Sequence, residues 1–415
     1  MNSQAYIKLD ERYGAHNYHP LDVVVERAEG VWLYDVDDNR YLDGLSAYSA
    51  VNQGHCHPRL IQAMQDQMHK VTLTSRAFRN DQMGHFLKTL CELMQYELAL
   101  PMNTGAEAVE TAIKAARKWG YQTKGVPTNQ AEIIVFDGNF HGRTTTIVGF
   151  SSDEDSRADF GPFTPGFLSA PYGDLDGVKA LITDNTVAIL VEPIQGEAGV
   201  IIPPEGFLKG LEQLCRANNV LLIADEIQSG LGRSGKLLAC DWEDVRPDLL
   251  ILGKALSGGF YPVSAVLSDQ PVLGLFQPGQ HGSTYGGNPL GAAIACEALA
   301  ILQDEQLVER SRELGDYAVA QLRTIKHPAI NHIRAKGLFI GIVLNERARP
   351  YCEALQQRGL LCKETHENVI RFAPPLVISP EELEWAIEQF QTIFEEADMW
   401  DATLPAPEKP VLEVA

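Results

Sequence analysis

Two residues of this 415-residue chain stand where chemistry is expected of them. Lys254 follows the apolar run Leu249–Leu252, inside Gly253-Lys254-Ala255-Leu256-Ser257-Gly258-Gly259, and Asp225 follows the run Val220–Ala224, ahead of Glu226-Ile227-Gln228. Two more runs end in the same way. Ile133–Phe136 leads into Asp137-Gly138-Asn139-Phe140-His141-Gly142-Arg143, and Val187–Val191 into Glu192-Pro193-Ile194-Gln195-Gly196-Glu197. Asn103-Thr104-Gly105-Ala106-Glu107 opens a helical pattern in which Val109, Ile113 and Ala116 recur at helical spacing. Its glycine allows close backbone approach, and the free N–H groups of a helix start suit a phosphate.

An acid, a lysine, a stacking aromatic and a helix start for phosphate are the parts that hold pyridoxal phosphate. The lysine forms the Schiff base, and the acid keeps the pyridine nitrogen protonated so that the ring draws electrons. Rival motifs fare worse. Gly230-Leu231-Gly232-Arg233-Ser234-Gly235 fits G-x-G-x-x-G, but it begins beyond Asp225 rather than at the turn of a first βαβ unit. The same stretch fails as a P-loop because Leu237 stands where Ser or Thr must meet Mg²⁺. His55-Cys56-His57 alternates along a strand with no distant ligand pair, so no metal is expected.

The elements that must position these residues are legible in outline. Short continuous apolar runs alternating with helical periodicity from about Leu45 to Ala300 imply a mostly parallel sheet covered on both faces. Ligands of such sheets bind beyond the carboxyl ends of the strands, where the polar residues above fall. Val31–Val36 and Arg40–Leu42 read as a hairpin around Asp37-Asp38-Asn39. A long helical stretch from Gly291 to about Lys326 precedes a smaller α+β pattern with strands near Leu338–Leu344 and Val369–Phe372. Ser379-Pro380-Glu381-Glu382 has capping-box spacing ahead of an apolar face made by Leu383, Ala386, Ile387, Phe390 and Phe394. The expected organisation is an N-terminal segment, 1–45, packing with the smaller domain; a large domain, 46–300; a small domain, 301–400; and a loose tail, 401–415.

Composition excludes several classes. With 45% hydrophobic and 21% charged residues the chain is neither disordered nor collagen-like. Lys plus Arg total 34 against 55 Asp plus Glu, a net charge of −21 that opposes a nucleic-acid surface. Seven scattered cysteines without C-x-x-C fit reduced thiols rather than a disulfide framework. No run approaches the ~18 apolar residues of a membrane span, and Met1–Asp10 carries no targeting pattern, so a cytoplasmic location is expected.

The Ala224–Gly235 and Gly253–Gly259 segments, with His281-Gly282-Ser283-Thr284-Tyr285-Gly286-Gly287-Asn288-Pro289, resemble the class III aminotransferases, and the similarity runs from about Gly14 to Phe394. That resemblance implies an α/β fold of the PLP-dependent transferase fold type I, aspartate-aminotransferase-like, with a large domain and a smaller α+β domain. It also implies a homodimer, or a larger oligomer, with active sites at the interface. Carried onto this sequence, Lys254 is the Schiff-base lysine and Asp225 the pyridinium partner. Gln228 contacts the phenolic oxygen, Phe140 stacks on the ring with His141 beside it, and Gly105 and Ala106 hold the phosphate. Ser283 and Thr284 reach the phosphate of the neighbouring subunit's cofactor.

Within the family, Gly14–Pro20, Tyr48–Pro58 and Thr72–Phe78 resemble the members that act on L-ornithine. There Tyr18 holds the α-amino group, Arg143 the α-carboxylate, and Tyr48 shapes the pocket so that the δ-amine reaches the cofactor. Glu197 masks Arg371 while the diamine is bound, and Arg371 is released to bind 2-oxoglutarate, giving glutamate 5-semialdehyde and glutamate by a ping-pong route. His141 departs from the animal members, which carry tryptophan there, and matches the acetylornithine members. Acetylornithine or another ω-amino acid is therefore the alternative donor, and a non-catalytic binding protein on the same fold the remote one.

Overall fold

The computed structural model describes residues 1–397, so the expected tail at 401–415 lies outside the described residues. Fifteen strands occur among them. An N-terminal group comprises β1 (Val25–Glu29), β2 (Trp32–Asp35) and β3 (Arg40–Asp43). The middle of the chain supplies β4 (Leu98–Met102), β5 (Glu132–Phe136), β6 (Phe167–Ala170), β7 (Thr186–Val191), β8 (Leu221–Asp225), β9 (Leu249–Leu252) and β10 (Ser264–Ser268). The C-terminal part supplies β11 (Ile330–Lys336), β12 (Phe339–Leu344), β13 (Leu360–Leu361), β14 (Lys363–Thr365) and β15 (Val369–Phe372).

The central sheet has the order β4-β10-β9-β8-β7-β5-β6. Only β10 runs against its neighbours; the others are parallel. The four apolar runs are its middle strands, and their alternation explains their composition. Ile133 and Val135 pack into one core with Val109, Ile113 and Ala116 of the Gly105–Trp119 helix. Ile134 and Phe136 pack into the opposite core with Phe207, Leu211 and Cys215 of the Phe207–Ala217 helix. Side chains alternate across a strand, so a strand covered on both faces must be apolar at every position.

Three strands of this central sheet escaped the apolar-run criterion. β4 contains Pro101 and lies at the sheet edge, where a missing ladder donor is tolerated. β6 is the four-residue edge at the other side, and β10 is bounded by Ser264 and Ser268. The long helical stretch is also two helices, Pro289–Asp304 and Leu307–Leu322, separated where Gln306 takes φ 51°.

The remaining sheets carry the termini. β1-β2-β3 is extended by β13, which runs parallel to β3, and β11-β12-β15-β14 is antiparallel. The last helix, Pro380–Ala397, has its capping box: Glu382 N–H donates to Ser379 Oγ and Ser379 N–H to Glu382 Oε2. Its apolar face is buried, with Phe390 edge-on to Phe372 at 5.3 Å. Among the described residues, no helix is long and apolar enough to cross a membrane.

Between β3 and the helix Pro58–Met68 the chain does something uncommon. Ser46, Ala47, Tyr48 and Ser49 have φ of 46°, 48°, 59° and 67°, one turn of left-handed helix built without glycine. Each such residue costs about 1–2 kcal/mol, and conformations of this kind persist only where surrounding contacts hold them. Here Asp43 Oδ1 accepts from the N–H groups of Leu45 and Ser46, and Ser46 Oγ donates to Ala373 O.

Candidate active site

Because β9, β8, β7 and β5 are adjacent and parallel, their carboxyl ends deliver a row of groups to one rim. A cavity of about 190 Å³ opens there, lined by Lys254, Asp225, Ile227, Gln228, Glu192, Ile194, Glu197, Phe140, His141, Gly142, Gly105 and Ala106. Eight of the fourteen residues picked out in the sequence therefore line one cavity.

Lys254 has φ 44° at the start of a short turn after β9, and its Nζ makes no hydrogen bond among the described residues. Burial lowers its pKa and so favours the free amine, against the pull of Glu197, which favours the ammonium. Asp225 Oδ1 accepts from the Ile227 N–H at 3.1 Å, and its Oδ2 accepts from His141 Nδ1 at 2.7 Å. His141 is buried. Burial opposes its charge, but the hydrogen bond and charge of Asp225, with Glu192, outweigh it and raise its pKa. A donor was not foreseen in that position: His141 acts on the acid rather than simply lining the ring.

Glu197 and Gln228 form the opposite wall. Arg371, on β15 and 2% exposed, holds Glu197 at both oxygens, Nη1 to Oε1 at 2.9 Å and Nη2 to Oε2 at 3.1 Å. Burial opposes the carboxylate charge, yet the guanidinium dominates and brings the Glu197 pKa to about 2. Gln228 Nε2 donates to Glu197 Oε1, while Gln228 Oε1 is buried and without a partner among the described residues. The Tyr48 ring lies 5.3 Å from the Arg371 guanidinium carbon, so the left-handed turn delivers an aromatic face to this cation.

The phosphate-binding expectation can be tested on the helix start. Thr104 Oγ1 accepts from Glu107 N–H, and the Glu107 carboxylate returns to the Thr104 N–H, a capping box. The N–H groups of Gly105 and Ala106 have no acceptor among the described residues, and both residues line the cavity. A Cβ on Gly105 would come within 2.9 Å of Ile227 Cδ1. Free amides, an unpartnered Gln228 oxygen, the Asp225 carboxylate, an aromatic wall and an unbonded lysine fit pyridoxal phosphate.

The other expected residues lie outside this cavity. Arg143 lines an adjoining chamber of about 480 Å³ that shares Phe140, His141 and Glu197 and continues to Glu364, Thr365 and His366. Tyr18 is 72% exposed on the N-terminal segment, which Arg349 holds through the carbonyls of His19 and Pro20. Ser283 Oγ accepts from Asn103 Nδ2 and Gly286 N–H, and Thr284 is exposed. Neither lines the cavity of its own chain.

Sequence reasoning gave no role to Glu192, Ile227 or Gly196. Glu192 Oε2 accepts from the Phe140 N–H at 3.0 Å, and burial, with the charge of Asp225, lifts its pKa to about 8 against the pull of His141. Only the fold reveals that this strand-end acid is enclosed. Gly196 is fixed by packing, since a Cβ there would lie 1.5 Å from Gln228 Oε1.

The family pattern of class-III aminotransferases matches residues 13–394. The ornithine aminotransferase of Brevibacillus brevis is 61% identical over 387 residues, 93% of this chain and 97% of the relative. Among solved structures, an ornithine aminotransferase from Toxoplasma gondii, with PLP at partial occupancy in its active site, superimposes with TM-score 0.95 at 43% identity, covering 96% of this chain and 95% of its own. The acetylornithine aminotransferase of Elizabethkingia anophelis gives TM-score 0.88 at 47% identity, covering 95% and 100%.

Two predictions follow from this geometry. Gly196→Ala displaces Gln228, so the variant should fold but bind pyridoxal phosphate at least about tenfold more weakly, the loss of one hydrogen bond to a charged group. Equilibrium dialysis measures this, and unchanged affinity would contradict it. Glu192 keeps its proton in the folded chain at pH values where the unfolded chain has lost it. It therefore contributes stability below its ordinary pKa of 4.5 that disappears as pH rises through about 8. Glu192→Gln should flatten the decline in unfolding free energy of the cofactor-free chain by about 1 kcal/mol per pH unit across that window; parallel declines would contradict it.

Proposed function

The chain belongs to the class-III aminotransferases, enzymes that use pyridoxal phosphate, and we propose that it transfers the δ-amino group of L-ornithine to 2-oxoglutarate. The observation that carries this reading is the bidentate Arg371–Glu197 pair in the wall beside Lys254. One site must accept a cationic diamine and then a dicarboxylate. An arginine neutralised by a neighbouring carboxylate does not repel the first, and freed from it, binds the second. Relatives named for ornithine at 58–61% identity over 93–95% of this chain support ornithine as donor.

When bound, pyridoxal phosphate supplies the carbonyl that takes up the amino group and the ring that stabilises the electron pair left on the donor carbon. Lys254, whose burial favours the free amine, takes the proton from the donor's δ-carbon at Nζ and later returns one. Asp225, oriented by His141 and the Ile227 amide, holds a proton at the ring nitrogen. Arg143 in the outer chamber binds the ornithine α-carboxylate, and Tyr18 the α-amino group. With 2-oxoglutarate, Arg371 leaves Glu197 for the α-carboxylate and Arg143 takes the γ-carboxylate. The exposed Thr284, preceded by Ser283, serves the partner's phosphate in a dimer, and the enzyme works in the cytoplasm.

Lys254→Ala should fold and lose multiple turnovers; sustained turnover would contradict its role. Wild type should show kcat/KM for ornithine at least about tenfold above N-acetylornithine, a difference of about 1.4 kcal/mol. Preference for the acetylated donor would overturn the choice of substrate. Glu197→Gln leaves Arg371 unmasked, and kcat/KM for ornithine should fall roughly 10- to 100-fold relative to that for glutamate. An unchanged donor ratio would count against the masking role.

A further inference from the structure

Arg233 belongs to none of the machinery above, yet it is among the most deeply buried side chains of the molecule. It lies in the loop after β8 with no solvent exposure and, among the described residues, no carboxylate within ion-pair distance. Burial draws its pKa down to about 9, only partly opposed by Asp43. Sealing an unpaired guanidinium inside a protein is costly, so its hydrogen bonds must be well made and useful.

They point in two directions. Nη1 donates to Leu338 O at 2.8 Å and to Pro374 O at 2.7 Å. Leu338 immediately precedes β12, and Pro374 lies three residues beyond Arg371. Nη2 donates to Ser46 Oγ at 3.0 Å and to Asn52 Oδ1 at 2.7 Å, residues that bracket the left-handed turn bearing Tyr48. One planar fork thus spans from the Tyr48 turn to the segment that directly follows the strand of Arg371, and Ser46 Oγ closes the gap directly on Ala373 O. A guanidinium is suited to this because its donors are rigidly spaced. The left-handed turn, unfavourable by itself, has in Arg233 the buried partner that holds it.

We propose that Arg233 is a positioning residue for specificity: it sets the distance between Tyr48 and Arg371, and through that the pairing of Arg371 with Glu197. It touches neither substrate nor cofactor. The inference rests on the reading of Arg371 and Glu197 given above.

The test is a double-mutant cycle between Arg233→Lys and Tyr48→Ala, with KM and kcat measured for both substrates alongside thermal midpoint and bound cofactor. A lysine cannot bridge both sides. With Tyr48 present, Arg233→Lys should raise the donor KM about tenfold and change kcat less than about threefold, since Lys254 and Asp225 are untouched. In the Tyr48→Ala background the same change should raise KM less than about twofold, the non-additivity of groups acting through one another. Equal effects in both backgrounds, or a fall in kcat with KM unchanged, would reduce Arg233 to a structural residue and overturn the proposal. If Arg233→Lys fails to fold, Asn52→Ala removes the shorter of the two Arg233 acceptors on the Tyr48 side and leaves Ser46 Oγ bonded to Ala373 O. It should raise donor KM in the same way, and an unchanged KM overturns the proposal. The cycle is run with whichever ω-amino donor the wild type uses best, so a failure of the ornithine assignment is seen in the wild type and kept apart from a failure here.

Discussion

A guanidinium removed from water must have its donors met by fixed acceptors, and Arg371 finds both oxygens of the Glu197 carboxylate. Much of the architecture follows from that requirement, because the two residues come from different sheets. Glu197 stands beyond β7 of the central sheet and Arg371 on β15 of the C-terminal one, so the pair exists only while the sheets are held together. Thr365 Oγ1 donates to Glu197 O from β14, and β12 presents Gly341 opposite Arg371, where a Cβ would come within 2.9 Å of Gly199 O. Close backbone approach at the seam and a bidentate pair across it are two aspects of one fit.

The second organising constraint is the parallel sheet. Four adjacent strands ending on one side place a lysine, an acid, an amide, two further carboxylates and an aromatic around a single small cavity. Its low polarity then divides their protonation states. Glu197, beside a cation, is held ionised; Glu192, beside another acid and enclosed, keeps its proton to about pH 8; Lys254 is biased toward the free amine. Burial and neighbours thus separate two chemically similar carboxyls into different roles.

Both constraints explain what the sequence could disclose. β5, β7, β8 and β9 were legible because strands buried on both faces must be continuously apolar, and the polar residues after them marked the cavity rim. Edge strand β4, with its Pro101, and β10, bounded by serines, lack that mark. The helix start at Thr104 was legible because capping chemistry is local. The left-handed turn at Ser46–Ser49 was not, since its stability resides in Asp43, Ala373 and Arg233, residues scattered along the chain. Likewise nothing in His141 itself announced its bond to Asp225. Tyr18, Ser283 and Thr284 were chosen by resemblance alone, and they lie outside the cavity of their own chain.

The most direct test of the central claim is spectroscopic. L-Ornithine is added, without any keto acid, to the purified protein loaded with pyridoxal phosphate. The account predicts that the yellow absorbance of the cofactor joined to Lys254 disappears with ornithine far faster than with N-acetylornithine or 4-aminobutyrate, and returns on adding 2-oxoglutarate. A protein that stays colourless with added pyridoxal phosphate, or a yellow one that ornithine leaves unchanged, would contradict it.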